Sequence, residues 1–213
     1  MTRDNTIGRL VEARRERVPP GQKLTEKFPV LDLGVRPAFD DRRWRFTVDG
    51  EVEAPMQVDW HEFVGLVPRH QQTSDFHCVT TWSRLDLAWA GLPFSALAAV
   101  VRPTEAARFV VAHGADGYST NLSLEDAMAD DVLLAYELEG QPLPLEHGGP
   151  MRLLVPQRYA WKSAKFLRRL EFLTDDEPGY WEQRGYHDRG DPWQEERHSS
   201  SEIDVSSAVL GHL

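Results

Sequence analysis

A single-domain α+β fold built on a mixed sheet is predicted for this chain of 213 residues, and three observations lead there. Short apolar runs with a two-residue period alternate with short helical segments, without the regular spacing of a doubly wound βαβ fold. The hydrophobic fraction, 41%, is enough to fill one substantial core. Neither GxGxxG nor GxxxxGKS/T occurs, which argues against a Rossmann fold or a P-loop.

Along the chain, Trp44-Arg45-Phe46-Thr47-Val48 alternates, and Asp49-Gly50 before Glu51-Val52-Glu53 has the two-residue turn chemistry of a β-hairpin. Asp59 is placed to cap a short helix through Trp60–Val64, and Pro93 to open another through Val100. Residues 108–112 read as a strand. Ser123 with Asp126 resembles a capping box, and residues 132–136 return to strand. Two more strands are expected, at 151–155, ending on Pro156, and at 166–173. The organisation predicted is an arm over residues 1–22, a domain over 23–196 and a polar tail over 197–213.

A formal charge of −10 argues against general nucleic-acid binding or an anionic membrane surface, because both need a broad basic field. No apolar run approaches the roughly 20 residues needed to span a bilayer. Met1–Gly21 is polar and charged rather than an export signal, so the expected location is cytoplasmic.

Cys78 is the only cysteine, so it makes no disulfide within the chain; packing or reactivity must account for it. His77 precedes it, and hydroxyls flank it at Ser74, Thr80 and Thr81. A thiolate needs a cation, a hydrogen-bond donor or a metal. If the segment is extended, His77 and Cys78 point to opposite faces, which weakens any action of one on the other. Zinc-site spacings and a GxSxG elbow are missing.

Residues 150–170 hold six of the chain's 24 Lys and Arg residues and no acid. Within them Lys162-Ser163-Ala164-Lys165 offers two ammonium groups, a hydroxyl and backbone N–H groups for an anion such as phosphate; a solvated basic strand is the alternative. His147-Gly148-Gly149-Pro150 just upstream allows backbone approach to a ligand, with His147 and Arg152 projecting toward it. The aromatic run Tyr180, Trp181, Tyr186 and Trp193 reads as a loop over the core or over a pocket mouth.

In this order, His77-Cys78-Val79-Thr80, Trp89-Ala90-Gly91, Gly117-Tyr118, residues 147–152, Tyr159–Lys165 and Gly179–Glu182 resemble the molybdopterin-binding domain of the sulfite oxidase superfamily. The branch with the bacterial methionine sulfoxide reductase catalytic subunit is the most similar. The resemblance spans about Phe28 to Trp193 and implies a molybdenum-molybdopterin cofactor, with Cys78 as thiolate ligand to molybdenum and catalytic residue. It implies that Arg152 and the Lys162, Ser163, Ala164, Lys165 turn hold the pterin phosphate, with His77 and His147 nearby, and that Phe28-Pro29-Val30 line the pterin. His113 falls where the reductase branch has a threonine near the cofactor, and His147 where it often has asparagine. The activity implied is two-electron redox chemistry or oxygen-atom transfer on a small-molecule substrate, with a separate electron donor or acceptor. Two other readings remain open at this point: a metal-free thiol enzyme with Cys78 as nucleophile and His113 or His147 as base, and a non-catalytic anion-binding module.

Overall fold

The computed structural model describes residues 12–199. The outer parts of the expected arm and tail, residues 1–11 and 200–213, lie outside the described residues.

The fold is α+β and a single domain, as expected, but its strands form two sheets rather than one. In chain order the strands are β1 (Lys23–Leu24), β2 (Phe46–Gly50), β3 (Met56–Val58), β4 (His70–Cys78), β5 (Trp82–Pro93) and β6 (Phe109–Gly114). They continue with β7 (Ser119–Ser123), β8 (Leu133–Leu138), β9 (Gln141–Pro142), β10 (Arg152–Leu154) and β11 (Leu167–Leu173). One sheet runs β1-β5-β8-β10, with β4 also on β5 and β9 on β8; the other runs β3-β2-β11-β6-β7. Each is mixed, because β1 pairs β5 and β2 pairs β11 in parallel while the remaining ladders are antiparallel.

The expected hairpin is present with a different second strand. Asp49 and Gly50 stay in β2, opposite Glu171 and Phe172, and the partner is β3, with Val48 opposite Met56. A Cβ on Gly50 would lie 2.1 Å from the carbonyl oxygen of Phe172, so the glycine serves close approach of two backbones rather than a two-residue turn. Val52 instead bridges to Pro103.

The helices are short. Helix α1 (Trp60–Gly65) carries a complete capping box: the Asp59 carboxylate accepts the Glu62 N–H, and the Glu62 carboxylate accepts the Asp59 N–H. Helix α2 (Phe94–Val101) starts one residue after the expected position, with Pro93 as its cap. Helix α3 (Leu124–Ala127) is capped by the Ser123 hydroxyl, which accepts from the Asp126 N–H.

Between the sheets lies the main core, where Phe46, Leu92, Leu97, Leu134, Leu170 and Phe172 are fully buried. Truncating any of these to alanine costs about 2–5 kcal/mol through lost transfer energy and a residual cavity. A second cluster, Phe76, Leu87, Trp89, Leu133 and Leu154, packs under β4 and β5, with Phe28 and Trp82 against it. Arg17, Gln22 and Arg197 clasp this region. Arg17 donates to Asp75 and Asp86, the Gln22 amide donates to the carbonyl of Cys78, and Arg197 donates to the carbonyl of Val79.

Candidate active site

β4 ends at Cys78, and a three-residue loop returns the chain to β5, with Cys78 opposite Trp82 and Thr81 at φ 73°. Alternation along β4 then decides what each side chain meets. Phe76 and Cys78 face a pocket of about 320 Å³, while His77 faces a separate groove on the other side. The Cys78 sulfur lies 3.1 Å from the Thr80 hydroxyl, and burial raises the thiol above its ordinary pKa. The imidazole of His77 is 4% exposed, lies 2.8 Å through Nδ1 from the Ser83 hydroxyl, and is pulled down to about 4 by burial. The expectation that His77 contributes to the cofactor site is corrected by this outward direction. Among the described residues no base stands within hydrogen-bond reach of the thiol.

The opposite end of the pocket is cationic. Arg152, on β10, is 2% exposed and donates to three backbone carbonyls: Leu153 at 3.4 Å, His147 at 2.9 Å and Ser163 at 2.8 Å. Its guanidinium also lies 5.1 Å from the Phe76 ring centroid and 5.8 Å from that of Trp89. No carboxylate pairs with it among the described residues, and burial draws its pKa down to about 10. Lys165 donates to the carbonyl of Glu146 at 2.6 Å; burial, then the charge of Arg152, lowers it to about 8. The imidazole of His147 stacks on Phe28, 4.2 Å between centroids, and is lowered by burial and then by Arg152 and Lys165. A buried charge without an opposite partner is costly, so this end of the pocket is built for an anion.

Glycine makes room for this arrangement. Gly148 sits at φ 105°, and a Cβ there would lie 2.9 Å from the Lys165 side chain. The Ser163 hydroxyl accepts the Val155 N–H at 2.9 Å, which leaves its own proton free to donate into the pocket.

Four other expectations are corrected by position. Lys162 is fully buried away from the pocket; its ammonium lies 2.6 Å from the Glu182 carboxylate and donates to Asn121 O and Oδ1 at 2.9 and 3.0 Å. Ala164 belongs to the main core, where its carbonyl accepts the Leu153 N–H. His113 lies on β6 in the other sheet, 3.1 Å from Glu171, and does not reach the pocket. Val30 points outward at 38% exposure, whereas Phe28 and Pro29 line the pocket as expected.

Sequence reasoning missed Asp32, Leu33 and Asp116, which also line the pocket. Loop residues such as Asp32 and Asp116 have no local pattern that could reveal them. The aromatic loop does reach the mouth, through Trp181 and Tyr186, with their rings 4.9 Å apart and Tyr186 5.0 Å from Trp161.

Among the described residues no three His, Cys, Asp or Glu side chains gather into a metal site. A metal on Cys78 must therefore bring its remaining ligands with it. One soft sulfur at one end and, at the other, Arg152, with no carboxylate partner among the described residues, beside Lys165 fit a metal-bearing anionic cofactor.

Residues 33–181 match the family described as oxidoreductase molybdopterin binding domain. The chain belongs to this family. A molybdopterin-binding oxidoreductase is accordingly what the sequence encodes, and the resemblance to the sulfite oxidase type is borne out. Similar proteins include the "Uncharacterized oxidoreductase YuiH" of Bacillus subtilis, 45% identical over 85% of this chain and 91% of that protein. The "Protein-methionine-sulfoxide reductase catalytic subunit MsrP" of Ralstonia nicotianae is 31% identical over 65% of this chain, and that of Burkholderia mallei 32% over the same share. The molybdopterin-binding chain spans 46% of those two reductase subunits. Its fold is similar to the sulfane dehydrogenase SoxCD of Paracoccus pantotrophus, with a TM-score of 0.60 and 24% identity over 66% of this chain and 40% of that one.

Proposed function

We propose that this oxidoreductase holds a molybdenum-molybdopterin cofactor in the pocket between Cys78 and Arg152, with the Cys78 thiolate as the protein's ligand to molybdenum. The observation that carries the reading is the sharing of one pocket by a lone thiol and a buried guanidinium without a carboxylate. When bound, the cofactor supplies two-electron redox chemistry or oxygen-atom transfer to a small-molecule substrate.

The chain's own residues bind and orient. Cys78 Sγ would hold the metal as a thiolate; burial favours the protonated thiol in the free chain, so serving as a ligand would require loss of that proton. Arg152, its guanidinium plane fixed by carbonyls on both sides, and Lys165 neutralise the phosphate, with the Ser163 hydroxyl as a further donor. Phe28, Pro29 and Phe76 provide apolar walls, and Trp181 with Tyr186 limits water at the mouth. A separate protein or small molecule delivers or removes electrons. Because two relatives are named protein-methionine-sulfoxide reductase subunits, methionine sulfoxide is the first substrate to assay.

Elemental analysis for molybdenum, together with release of the pterin, tests this reading on protein made in a cell that synthesises the cofactor. Near one molybdenum per wild-type chain is expected, with altered molybdenum coordination by X-ray absorption or loss of the metal in Cys78→Ser and loss of both metal and pterin in Arg152→Met. Persistent absence of both from the wild type would overturn it.

A further inference from the structure

The loop that carries the thiol is held by its carbonyls from outside. The Gln22 amide donates to the carbonyl of Cys78 at 3.2 Å, and the Lys23 N–H donates to that of Thr81 at 2.9 Å. Between them the Val79 carbonyl accepts from Arg197, the one charged donor of the three. Among the described residues this is the only hydrogen bond of the Arg197 side chain, which makes no ion pair there. Arg197 is half-buried, its guanidinium lies 5.0 Å from the ring centroid of the buried Tyr159, and its own carbonyl accepts the His187 N–H at 3.2 Å. Backbone and ring thus fix where the cation sits. The carbonyl of Val79 and the N–H of Thr80 are the two ends of one trans peptide group, so they point opposite ways. Arg197 holds the outer end and does not line the pocket. At the inner end is the Cys78 sulfur, hydrogen-bonded by the Thr80 N–H and lying 3.1 Å from the Thr80 hydroxyl.

We infer that Arg197 is a positioning residue for the sulfur ligand: through the Val79–Thr80 peptide it aims and polarises the N–H that faces Cys78 Sγ, and so raises the reduction potential of the bound metal. The inference rests on the cofactor reading for the metal and on the hydrogen bonds for the relay. A cation on the carbonyl draws electron density out of the peptide and makes its N–H a stronger donor. A stronger donor to a thiolate withdraws charge from the sulfur, weakens its donation to the metal and favours the reduced metal. Gln22 and Lys23 hold the same loop with neutral groups on other peptides, so neither acts on this N–H.

Two measurements on the full chain, wild type, Arg197→Met, Arg197→Lys and Gln22→Met, test this. In molybdenum-loaded protein, a dithionite titration followed by the Mo(V) electron paramagnetic resonance signal gives the midpoint potential of the metal. Arg197→Met is expected to shift the equilibrium about tenfold toward the oxidised metal, a fall of ~59 mV for one electron. Arg197→Lys keeps the charge on a shorter, single-pronged donor, so a smaller fall is expected; it also keeps the test open should the methionine variant not fold. Gln22→Met loosens the same loop at another carbonyl and is expected to shift the equilibrium by less than about twofold. In the cofactor-free chain the Thr80 amide is read by NMR: its nitrogen and proton signals are expected to move upfield in Arg197→Met and to stay near the wild-type positions in Gln22→Met. Both arginine variants at the wild-type potential, an equal fall in Gln22→Met, or an unmoved Thr80 amide would overturn the inference. A wild type that never loads molybdenum, with the Thr80 amide moving as expected, would overturn the cofactor reading and uphold the relay to the sulfur.

Discussion

Lys162 and Lys165 stand three residues apart and turn to opposite sides of the chain: Lys162 is buried 2.6 Å from Glu182, while Lys165 faces the pocket beside Arg152. Their loss should therefore read out differently. Lys162→Met strands the Glu182 carboxylate in the interior and is expected to cost about 3–5 kcal/mol in thermal or denaturant unfolding. Adding Glu182→Gln, which keeps an acceptor for the Trp161 and Thr120 donors, should recover part of that loss. Lys165→Met should leave stability almost unchanged and lower cofactor retention instead. Equal destabilisation by both lysine variants would contradict the assignment.

Lys165 also sets a pH dependence. Burial and Arg152 place it at about 8, so it is charged below that pH and loses its charge as the pH rises through it. Cofactor retention after dialysis is expected to fall between about pH 7 and pH 9, and the fall should vanish in Lys165→Arg. For the cofactor-free protein the sign is opposite. Above about pH 8 and up to the ordinary lysine value, the unfolded chain binds more protons than the folded one, so stability rises with pH.

Gly148→Ala tests the cradle. The substitution places a methyl group 2.9 Å from the Lys165 side chain at φ 105°, where an L-residue costs about 1–2 kcal/mol. A protein that still folds but holds less pterin is the expected outcome. Full cofactor content in that variant would show that the Lys165 position does not matter.

Cys78 should be a slow thiol in the cofactor-free chain. Burial raises it above its ordinary value and outweighs the hydrogen bonding from Thr80, so iodoacetamide labelling is expected to be slow at neutral pH and to quicken well into alkaline solution. Rapid labelling at neutral pH would favour a thiol nucleophile over a metal ligand.

Much of this was legible along the chain because it depends on neighbours in sequence. The capping box at Asp59 and Glu62 and the cap at Ser123 are local hydrogen bonds, and a two-residue period alone separates Cys78 from His77. Motif order sufficed to identify the superfamily, since ligand, phosphate and aromatic segments recur in sequence.

Tertiary structure decided the rest, because burial and charge pairing depend on residues far apart in the chain. Nothing near Lys162 announces that Asn121 and Glu182 will enclose it, and nothing near His113 announces that β6 lies in the sheet away from the thiol. The sequence by itself determined which chemical groups the chain carries and the local elements that display them. Only the packing of the two sheets decided which groups share a pocket, and left Arg152 there with one carbonyl on each of its three nitrogens and, among the described residues, no carboxylate to neutralise it.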